Sequence, residues 1–425
     1  MIFDCEALSF SLRQSKFSSG DKRPKFSEPY LEIRKMGAKK DLRSSLYTIQ
    51  SMKPLVSIAV AITAQLAQTL AAVCVAASFL IQPASGCTGL GIEANDGGIV
   101  TGRTLEFGAD PQSQIVVFPA GTEFVGTVPK GTGPQFKSKY GFAGANGFGV
   151  QNAMIDGLNE QGLSVGLFYF PGCAKYMEAT PQNNAIGLAP WEFGTWVLAS
   201  FSTVDKVKAA IAKIAVVPTF LETLKEVPPA HYKIQDAKGN CIVVEPTDGQ
   251  LKVYNNPVWA MANSPEFPWH LTNLNNYLDL TPAYPVGKAI RGHNLAPFGM
   301  GGGLVGLPGD FTPPSRFIRI ATYLQNLPPQ ETTAKAVKTA FHLLNNFDLP
   351  PGSNSPPSGT SESYSDYTSW TSVSDLKNLQ FYWKTFGDQR VRFIDLKKVL
   401  VKSGSKPLAM AMGDQSQEDM GDQLK

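Results

Sequence analysis

The chain has 425 residues, 43% of them hydrophobic and 17% charged, a balance typical of a globular protein with a large core and unlike that of disordered or fibrous chains. The formal net charge is only +3 and the basic residues are dispersed, so nucleic acid is not expected as a partner. The four histidines follow no known zinc-binding spacing, so no metal is expected.

The N-terminal part has the layout of an export signal. After Met52, an apolar region covers about residues 54–81, and its longest uninterrupted stretch is shorter than the roughly 20 residues of a membrane span. Small residues at 84–86 then offer signal peptidase a cleavage site before Cys87. Residues 1–86 are therefore predicted to be a leader, an upstream extension plus a signal peptide, that is removed during export to the periplasm or the medium.

Two alternatives to a cleaved leader remain open. The apolar region could be retained as a membrane anchor, which would keep the protein on the membrane. The residues before Cys87 also resemble a lipoprotein processing site, in which the cysteine is lipidated and only anchors the protein. Such sites normally have Leu, Val or Ile where this chain has Ala84. A non-catalytic envelope lipoprotein is therefore kept as an alternative function.

The segment that begins at Cys87 is predicted to form a β-hairpin. Two strand-like runs flank Asp96-Gly97, and Asp-Gly between such runs is typical of a tight turn. The returning strand would carry Arg103 and Glu106 back past the cysteine. A neighbouring cation favours the reactive thiolate by lowering the thiol pKa from its ordinary value of about 8.5.

Removal of the leader would give Cys87 a second functional group. Its free α-amino group has an ordinary pKa of about 7.7 to 8.0 and can accept the thiol proton directly or through water. One residue would then supply both the nucleophile and the base. This arrangement predicts acyl-transfer chemistry in a chain that has only four histidines.

Farther along the chain, strand and helix patterns are mixed. Strand periodicity occurs at Gln114–Pro119, Leu163–Phe170, Tyr232–Gln235, Cys241–Glu245 and Leu251–Tyr254. Helical periodicity occurs at Glu192–Ala212 and Thr332–Leu344, with a further helix expected from Arg316 toward Leu327. Strands and helices in separate runs predict an α+β fold. The polar stretch 404–425 is predicted to be a C-terminal tail.

Two short motifs suggest other chemistry. Residues 162–166 match the G-x-S-x-G pattern of serine hydrolases, whose serine must lie on a strand-to-helix turn. Because the residues after Ser164 continue as a strand, a serine esterase is kept only as an alternative. The G-x-G-x-x-G pattern that starts at Gly301 is followed by a loop sequence where a dinucleotide site needs a helix, so no cofactor is predicted.

The cysteines leave one question open. Cys5 and Cys74 lie in the predicted leader, so the mature chain would keep Cys87, Cys173 and Cys241. In an oxidising compartment Cys173 and Cys241 could form a disulfide, and two separate buried thiols are equally compatible with the sequence.

Several segments after Cys87 together carry a family resemblance. They are Asp156–Gly172, Asn255–Tyr277, Gly303–Arg319 and Tyr367–Asn378, in that order. The chain resembles the choloylglycine hydrolase family, which includes bile salt hydrolases and penicillin V acylases and whose members begin at a catalytic cysteine. The resemblance implies a four-layer αββα sandwich over residues 87–403 and hydrolysis of a linear amide. It implies an N-acyl amide substrate (of the penicillin V, conjugated bile acid or N-acyl homoserine lactone type) and a possible homotetramer.

The same resemblance implies roles for particular residues. Cys87 corresponds to the nucleophile, Arg103 to the basic residue beside it, Asn263 to an oxyanion donor and Arg316 to the second active-site arginine. Two positions differ from the usual pattern. Glu106 stands where an aspartate is usual. Tyr169 stands where bile salt hydrolases have an asparagine, so that its backbone N–H or hydroxyl would have to replace the amide, which favours a penicillin acylase type of site.

Aromatic residues near these positions are candidates for substrate binding. Phe168, Trp259 and Phe267 lie within or next to the matched segments. They could form the wall of an apolar acyl pocket, or they could be ordinary core residues, as most aromatic residues are.

Overall fold

The computed structural model describes residues 86–354 and 365–414 of the chain. Residues 1–85 of the predicted leader, which include the first two cysteines, and residues 415–425 of the predicted tail lie outside the described residues. Within the described ranges, no helix combines the length and the apolarity that crossing a membrane requires.

The strands and helices are numbered in chain order. The strands are β1 (Cys87–Glu93), β2 (Ile99–Phe107), β3 (Gln114–Phe118), β4 (Glu123–Val125), β5 (Gln135–Lys137), β6 (Phe142–Gly147), β7 (Val150–Asn159), β8 (Leu163–Tyr169), β9 (Gly187–Leu188), β10 (Ala215–Val216), β11 (Ala230–Asp236), β12 (Cys241–Thr247), β13 (Gln250–Asn255), β14 (Lys288–Ile290), β15 (His293–Leu295), β16 (Tyr367–Asp375), β17 (Gln380–Thr385), β18 (Arg392–Asp395) and β19 (Leu408–Ala411). The α-helices are α1 (Pro181–Ala185), α2 (Phe193–Ser200), α3 (Val204–Ala210), α4 (Phe267–Asn273), α5 (Pro313–Gln325), α6 (Thr333–Leu344) and α7 (Leu396–Ser403).

Two antiparallel sheets form the centre of the fold. The first sheet has the strand order β1-β2-β16-β17-β18, and the second has the order β13-β12-β11-β8-β7-β6-β3-β19. Helices α5 and α6 pack against the first sheet at β1 and β2, whereas α2 packs against the second sheet at β7 and β8. Because successive side chains of a strand point to opposite faces, each sheet covers the other with one face and its helices with the other. The layers are helix, sheet, sheet and helix, which confirms the predicted αββα architecture of the α+β class.

Polar side chains cross the interface between the two sheets. The Ser372 hydroxyl on β16 donates to the Asp156 carboxylate on β7 at 2.7 Å. Lys233 Nζ on β11 donates to the Leu90 carbonyl oxygen on β1 at 3.1 Å. Buried polar groups need such partners, so these bonds join the sheets at a fixed relative position. The strand β1, which begins at Cys87, is thereby held against the second sheet.

The predicted strands are confirmed as β3, β8, β11, β12 and β13. The predicted helix at 332–344 is also confirmed. In this helix, α6, the Thr332 side chain accepts from the Lys335 N–H at 3.3 Å and so caps the N-terminus. The helix expected from Arg316 begins three residues earlier, at Pro313, and ends at Gln325.

The predicted helix at 192–212 is wrong in its middle, where the chain forms two helices, α2 and α3. Thr203 has an extended backbone between them, and its side chain accepts from the Lys206 N–H at 3.4 Å. Asp236, on β11, accepts a second bond from the Val204 N–H at 3.0 Å. These two acceptors start a new helix, and the second of them is too distant in sequence for helical periodicity to reveal it.

The predicted start of the C-terminal tail at residue 404 is too early. Strand β19 pairs with β3 and forms an edge of the second sheet. The next residue, Met412, is buried, and its carbonyl oxygen accepts from the Trp383 indole at 2.8 Å. The compact unit therefore continues through residue 412, because a short apolar run within the polar tail completes the sheet.

Candidate active site

The predicted hairpin is present and brings Arg103 to Cys87. Strands β1 and β2 pair so that Cys87 is opposite Leu105 and Gly89 is opposite Arg103. In the turn, Gly97 has φ of +77°, a left-handed backbone conformation that glycine adopts readily. Opposed residues and residues two apart share a face of a sheet. The side chains of Cys87 and Arg103 therefore lie on the same face, which is turned toward the second sheet.

Arg103 is held by both sheets. Its Nη2 donates to the Cys87 Sγ at 2.8 Å. On the second sheet, Nη1 donates to the carbonyl oxygens of Ile155, at 3.2 Å, and Leu167. The Phe168 ring packs against the guanidinium, with its centroid 4.4 Å from Cζ, a cation–π contact. These contacts fix the guanidinium with one nitrogen directed at the sulfur.

Cys87 is buried at the start of β1 and is still joined to Gly86 in this structure. Burial raises the pKa of its thiol, because the thiolate would lose its hydration. The positive charges of Arg103 and Arg316 lower the thiol pKa, but not enough to cancel the effect of burial. The Glu106 carboxylate raises the thiol pKa further. With Gly86 attached, the thiol is therefore neutral at pH 7.

Asn263 reaches Cys87 through the free edge of β1. Gly89 and Met261 form an antiparallel bridge, which brings Asn263 level with Cys87. The Cys87 N–H donates to Asn263 Oδ1 at 2.7 Å, and Asn263 Nδ2 donates to the Tyr169 carbonyl oxygen at 2.8 Å. A side-chain amide has two N–H donors, so the bond to Tyr169 leaves the second N–H of Asn263 available.

Arg316 joins Asn263 to Cys87. It lies in the first turn of α5, and its side chain is fully buried. Its Nη2 donates to Asn263 Oδ1 at 2.7 Å, and its Nη1 donates to the Cys87 carbonyl oxygen at 2.5 Å and to the Thr88 hydroxyl at 2.9 Å. Since Asn263 Oδ1 accepts from both Cys87 and Arg316, the amide plane of Asn263 is fixed from two sides.

Glu106 is buried beside the bond between Gly86 and Cys87. Its N–H donates to the Gly86 carbonyl oxygen at 2.9 Å, and its Oε1 accepts from the Thr368 hydroxyl at 3.1 Å. Within the described part of the chain, Oε2 has no hydrogen-bond partner. Burial raises the pKa of Glu106 to about 7, although the Arg316 charge opposes this effect. Glu106 therefore carries a buried carboxyl group with one unpaired oxygen, and its main chain is bonded to Gly86.

Tyr169 ends β8, where it pairs with Ala230. Its main-chain carbonyl faces Asn263, and its ring meets Phe107 edge-on, with centroids 5.9 Å apart. Phe107 in turn meets Phe148, with centroids 6.0 Å apart. Tyr169 therefore places a main-chain carbonyl oxygen next to Asn263 and an aromatic ring next to Phe107.

The structure separates the three aromatic residues that were candidates for substrate binding. Phe168 joins the Cys87 group, because it packs on Arg103. Phe267 is 1% exposed and packs against Phe317, with centroids 6.1 Å apart, so it belongs to the interior. Trp259 lines a cavity of about 600 Å³ that begins at Gly91 on β1. Gly91 lies four positions after Cys87 along an extended strand, a distance of about 13 Å.

Ser164 lies inside β8 and is buried, and it is opposite Gln235 on β11. The strand continues to Tyr169, so the strand-to-helix turn that a hydrolase serine requires is not formed at this position. Cys173 and Cys241 are free thiols, so the disulfide alternative is not realised. In residues 86–354 and 365–414, no group of three or more His, Cys, Asp or Glu side chains could hold a metal ion.

Sequence reasoning missed two residues that contact the group. The Thr368 hydroxyl donates to Glu106, and His270 Nε2 lies 2.9 Å from the Asn263 carbonyl oxygen. Both residues lie within segments that carry the family resemblance, and histidine is rare in this chain. The presence of a histidine in such a segment was the only signal for His270 that the sequence offered, and it did not indicate a contact with Asn263.

Comparisons with known proteins agree with this geometry. Residues 87–407 match the family model of linear amide C–N hydrolases, choloylglycine hydrolase family. The chain is 32% identical to a bile salt hydrolase/transferase of Clostridium perfringens over 73% of this chain and 93% of that protein. It is 26% identical to a penicillin V acylase of Pectobacterium atrosepticum over 71% of this chain and 77% of that protein. A crystal structure of a conjugated bile acid hydrolase mutant from Clostridium perfringens has a TM-score of 0.69 at 30% identity, covering 78% of this chain and 99% of that one.

Proposed function

The chain belongs to the choloylglycine hydrolase family and is therefore a hydrolase of carbon–nitrogen bonds in linear amides, and we propose that it acts through a thioester on Cys87 as the first residue of the mature protein. One observation carries the proposal. The Cys87 sulfur accepts from Arg103 at 2.8 Å, while the nitrogen of the same residue lies 2.7 Å from Asn263. Buried side chains thus hold both the sulfur and the nitrogen of Cys87, which are the proposed nucleophile and base.

The reaction would proceed in two steps. The α-amino group of Cys87 accepts the thiol proton, and the thiolate attacks the carbonyl carbon of the amide, moving an electron pair onto oxygen. When this oxyanion collapses, the carbon–nitrogen bond breaks and the amine leaves with the proton from the α-amino group. Water then attacks the thioester, which releases the carboxylic acid and returns a proton to the sulfur.

The surrounding side chains have distinct roles in this proposal. Arg103 stabilises the thiolate. The second N–H of Asn263 and a donor at Tyr169 stabilise the oxyanion, and each such donor typically contributes about 3 to 4 kcal/mol to lowering the barrier. Arg316 keeps Asn263 in place. The unpaired oxygen of Glu106 receives the new α-amino group, so the longer side chain of glutamate replaces the usual aspartate.

Maturation must expose the nitrogen of Cys87. We propose that signal peptidase removes residues 1–86 during export, which places the enzyme in the periplasm or the medium. The small residues before Cys87 and the apolar region at about 54–81 support this route. If the leader were retained, the enzyme would remain attached to the membrane and would lack its proposed base.

An apolar acyl group suits the site best. Phe107, Phe148 and Tyr169 form an aromatic surface next to Asn263. Phenoxyacetyl, bile acyl and the fatty acyl chain of a homoserine lactone all share this apolar character. The absence of an amide side chain at Tyr169 favours the phenoxyacetyl amide of penicillin V as the first substrate to test.

We also propose that the mature enzyme forms a homotetramer. The segment 278–309, called the extension here, exposes several large apolar side chains to solvent. They are Leu278, Tyr284, Val286, Ile290, Leu295, Phe298, Met300 and Val305. A soluble monomer rarely exposes so many apolar residues on one segment, so contact with further copies is the expected use of this surface. Light scattering of the mature protein tests it, and Phe298→Asp should lower the measured mass.

The decisive experiment compares wild type with Cys87→Ala. The mature proteins are incubated with phenoxymethylpenicillin, a glycine-conjugated bile acid and an N-acyl homoserine lactone, and the released acid is measured by mass spectrometry. Wild type should release acid from at least one of them, and Cys87→Ala from none. Cys173→Ala is the matched control for loss of a thiol and should retain activity. An active Cys87→Ala protein would refute the proposal.

The same samples address the alternatives. Intact-mass measurement should give a mature chain that begins with an unmodified Cys87, whereas a lipid mass on this residue would identify a lipoprotein. Ser164→Ala should retain its activity. Its inactivation, together with an active Cys87→Ala protein, would identify a serine esterase.

A further inference from the structure

Behind Asn263 lies a histidine that the proposed reaction does not use directly. His270, on α4, is 2% exposed, and its Nε2 lies 2.9 Å from the Asn263 carbonyl oxygen. Because a carbonyl oxygen only accepts hydrogen bonds, Nε2 must carry the proton. Burial lowers the pKa of His270 to about 4, so the ring is neutral at pH 7 and this is its only N–H donor.

The orientation of the His270 ring is fixed by packing. The ring stacks on Phe317, with centroids 4.6 Å apart and planes inclined by 21°. Phe317 follows Arg316 on α5, so the same helix supports the histidine and holds the Asn263 side chain. The N–H of His270 is therefore directed at a fixed position relative to the active-site arginine.

The helix that carries His270 is itself held by a buried carboxylate. Glu245 is fully buried and accepts from the Phe267 N–H, at 3.0 and 3.2 Å to its two oxygens, where α4 begins. One of these oxygens also lies 3.0 Å from His231 Nδ1. Buried polar groups need such partners, so these bonds fix the place where α4 begins.

A second bond holds the chain next to Asn263. The Ser264 hydroxyl donates to the Pro171 carbonyl oxygen at 2.6 Å, close to Tyr169 in sequence. The main chain at Asn263 and Ser264 is therefore tied to α4 on one side and to the end of β8 on the other. The direction of the Asn263 side chain depends on this backbone, since only a few side-chain rotamers are allowed for a given backbone.

We propose that His270 is a positioning residue that fixes the backbone of Asn263 and so aims the Asn263 side-chain N–H at the oxyanion. This inference rests on the proposed function, because it presupposes that the reaction forms an oxyanion at Cys87. It assigns to His270 no contact with the substrate and no transfer of a proton. Loss of the His270 hydrogen bond should therefore slow the chemical step while leaving the thiol itself unchanged.

The test compares His270→Phe, which keeps a ring for stacking on Phe317, with His270→Gln, whose side-chain nitrogen can replace Nε2 as a donor. Misplacing a catalytic group by about 1 Å can cost up to roughly 100-fold in rate, so His270→Phe should lower kcat by about 10- to 100-fold with little change in KM. His270→Gln should restore most of this activity. His342→Phe, at an exposed position on α6, is the matched control and should behave as wild type.

Alkylation of the Cys87 thiol by iodoacetamide separates positioning from general damage, because this reaction forms no oxyanion. Its rate should be the same in wild type and in His270→Phe. An unchanged kcat, a change confined to KM, or equal loss in His270→Phe and His270→Gln would overturn the inference. If His270→Phe does not fold, Ser264→Ala is measured instead, because it removes the hydrogen bond to Pro171. This variant should lower kcat without slowing alkylation. An unchanged kcat in Ser264→Ala would equally overturn the inference.

The proposed function is tested separately in the same assay by wild type and Cys87→Ala. If wild type hydrolyses the amide and Cys87→Ala does not, the proposed function is supported, and the His270 variants test positioning alone. If Cys87→Ala remains active, the proposed function fails before His270 is considered.

Discussion

Arg103 is a buried cation that donates to a buried thiol and needs further partners for its charge. The residue is 1% exposed, and removing an unpaired charge from water is unfavourable. Its guanidinium compensates by donating to main-chain carbonyls of the second sheet and by packing on the Phe168 ring. Lysine has the same charge but concentrates its donors on one atom, so it cannot serve the sulfur and these carbonyls together.

Arg103→Lys should therefore impair both catalysis and stability. We expect a fall in kcat of about 100-fold or more, comparable to the loss of a transition-state contact. The carbonyls left without a donor should lower the free energy of unfolding by about 1 to 3 kcal/mol. Steady-state kinetics and urea unfolding measure the two effects. Arg390→Lys, on an exposed side chain, is the control, and equal behaviour of the two variants would contradict the assigned role.

At the scale of elements, the approach of β1 to the second sheet depends on a glycine. A Cβ built on Gly89 would lie 2.7 Å from the Phe168 ring, which is too close for carbon atoms. Gly89 also exchanges two main-chain hydrogen bonds with Met261, at 2.8 and 2.9 Å, and this bridge brings Asn263 level with Cys87. Gly89 therefore affects the positions of both Phe168 and Asn263.

Gly89→Ala should displace Phe168 or widen the bridge to Met261. Overpacking of this kind typically costs about 1 to 3 kcal/mol, and we expect a similar loss in the free energy of unfolding. The kcat should also fall, because both Arg103 and Asn263 lose support. Urea unfolding and amide hydrolysis measure these effects. Gly299→Ala, where a Cβ would meet no atom within 4 Å, should change neither, and a neutral Gly89→Ala would argue against the tight approach.

Local sequence patterns predicted those elements whose causes are local. The hairpin follows from Asp96-Gly97, and helix α6 follows from its periodicity and its threonine cap. The break between α2 and α3 did not follow, because it depends on Asp236 on a distant strand. Strand β19 was missed, because four residues are too few to stand out within a polar tail.

The residues of the site divide in the same way, into those that local sequence patterns predicted and those that they did not. A hairpin accounts for Arg103 and Glu106 next to Cys87, since all three lie within one local element. Asn263 and Arg316 are far away in sequence, and only the resemblance indicated them; in the structure they reach Cys87 through the edge of β1 and the first turn of α5. His270 was missed, because its contact is with a main-chain oxygen, which leaves no motif in the sequence.

On the scale of the whole molecule, ionisable groups are buried between the two sheets and near Cys87. Burial raises the pKa of Glu106 to about 7 and that of Asp156 to about 6. A carboxyl group with a raised pKa binds its proton more tightly in the folded chain than in the unfolded chain. The free energy of unfolding of the chain with Gly86 attached therefore depends on pH. The proposed release of the α-amino group of Cys87 should change this dependence, because a nearby positive charge lowers the pKa of Glu106.

The uncleaved chain should become less stable as the pH rises from 4.5 to about 7, because over this window the folded state holds the Glu106 proton that the unfolded state has lost. One such group changes the free energy of unfolding by at most about 1.4 kcal/mol per pH unit. Asp156 contributes in the same direction, so the contribution of Glu106 must be obtained by difference. Urea unfolding of wild type and Glu106→Gln across this window should give a flatter curve for the variant. Glu93→Gln, at the exposed end of β1, should follow wild type, and parallel curves for wild type and Glu106→Gln would show that Glu106 ionises normally in the folded chain.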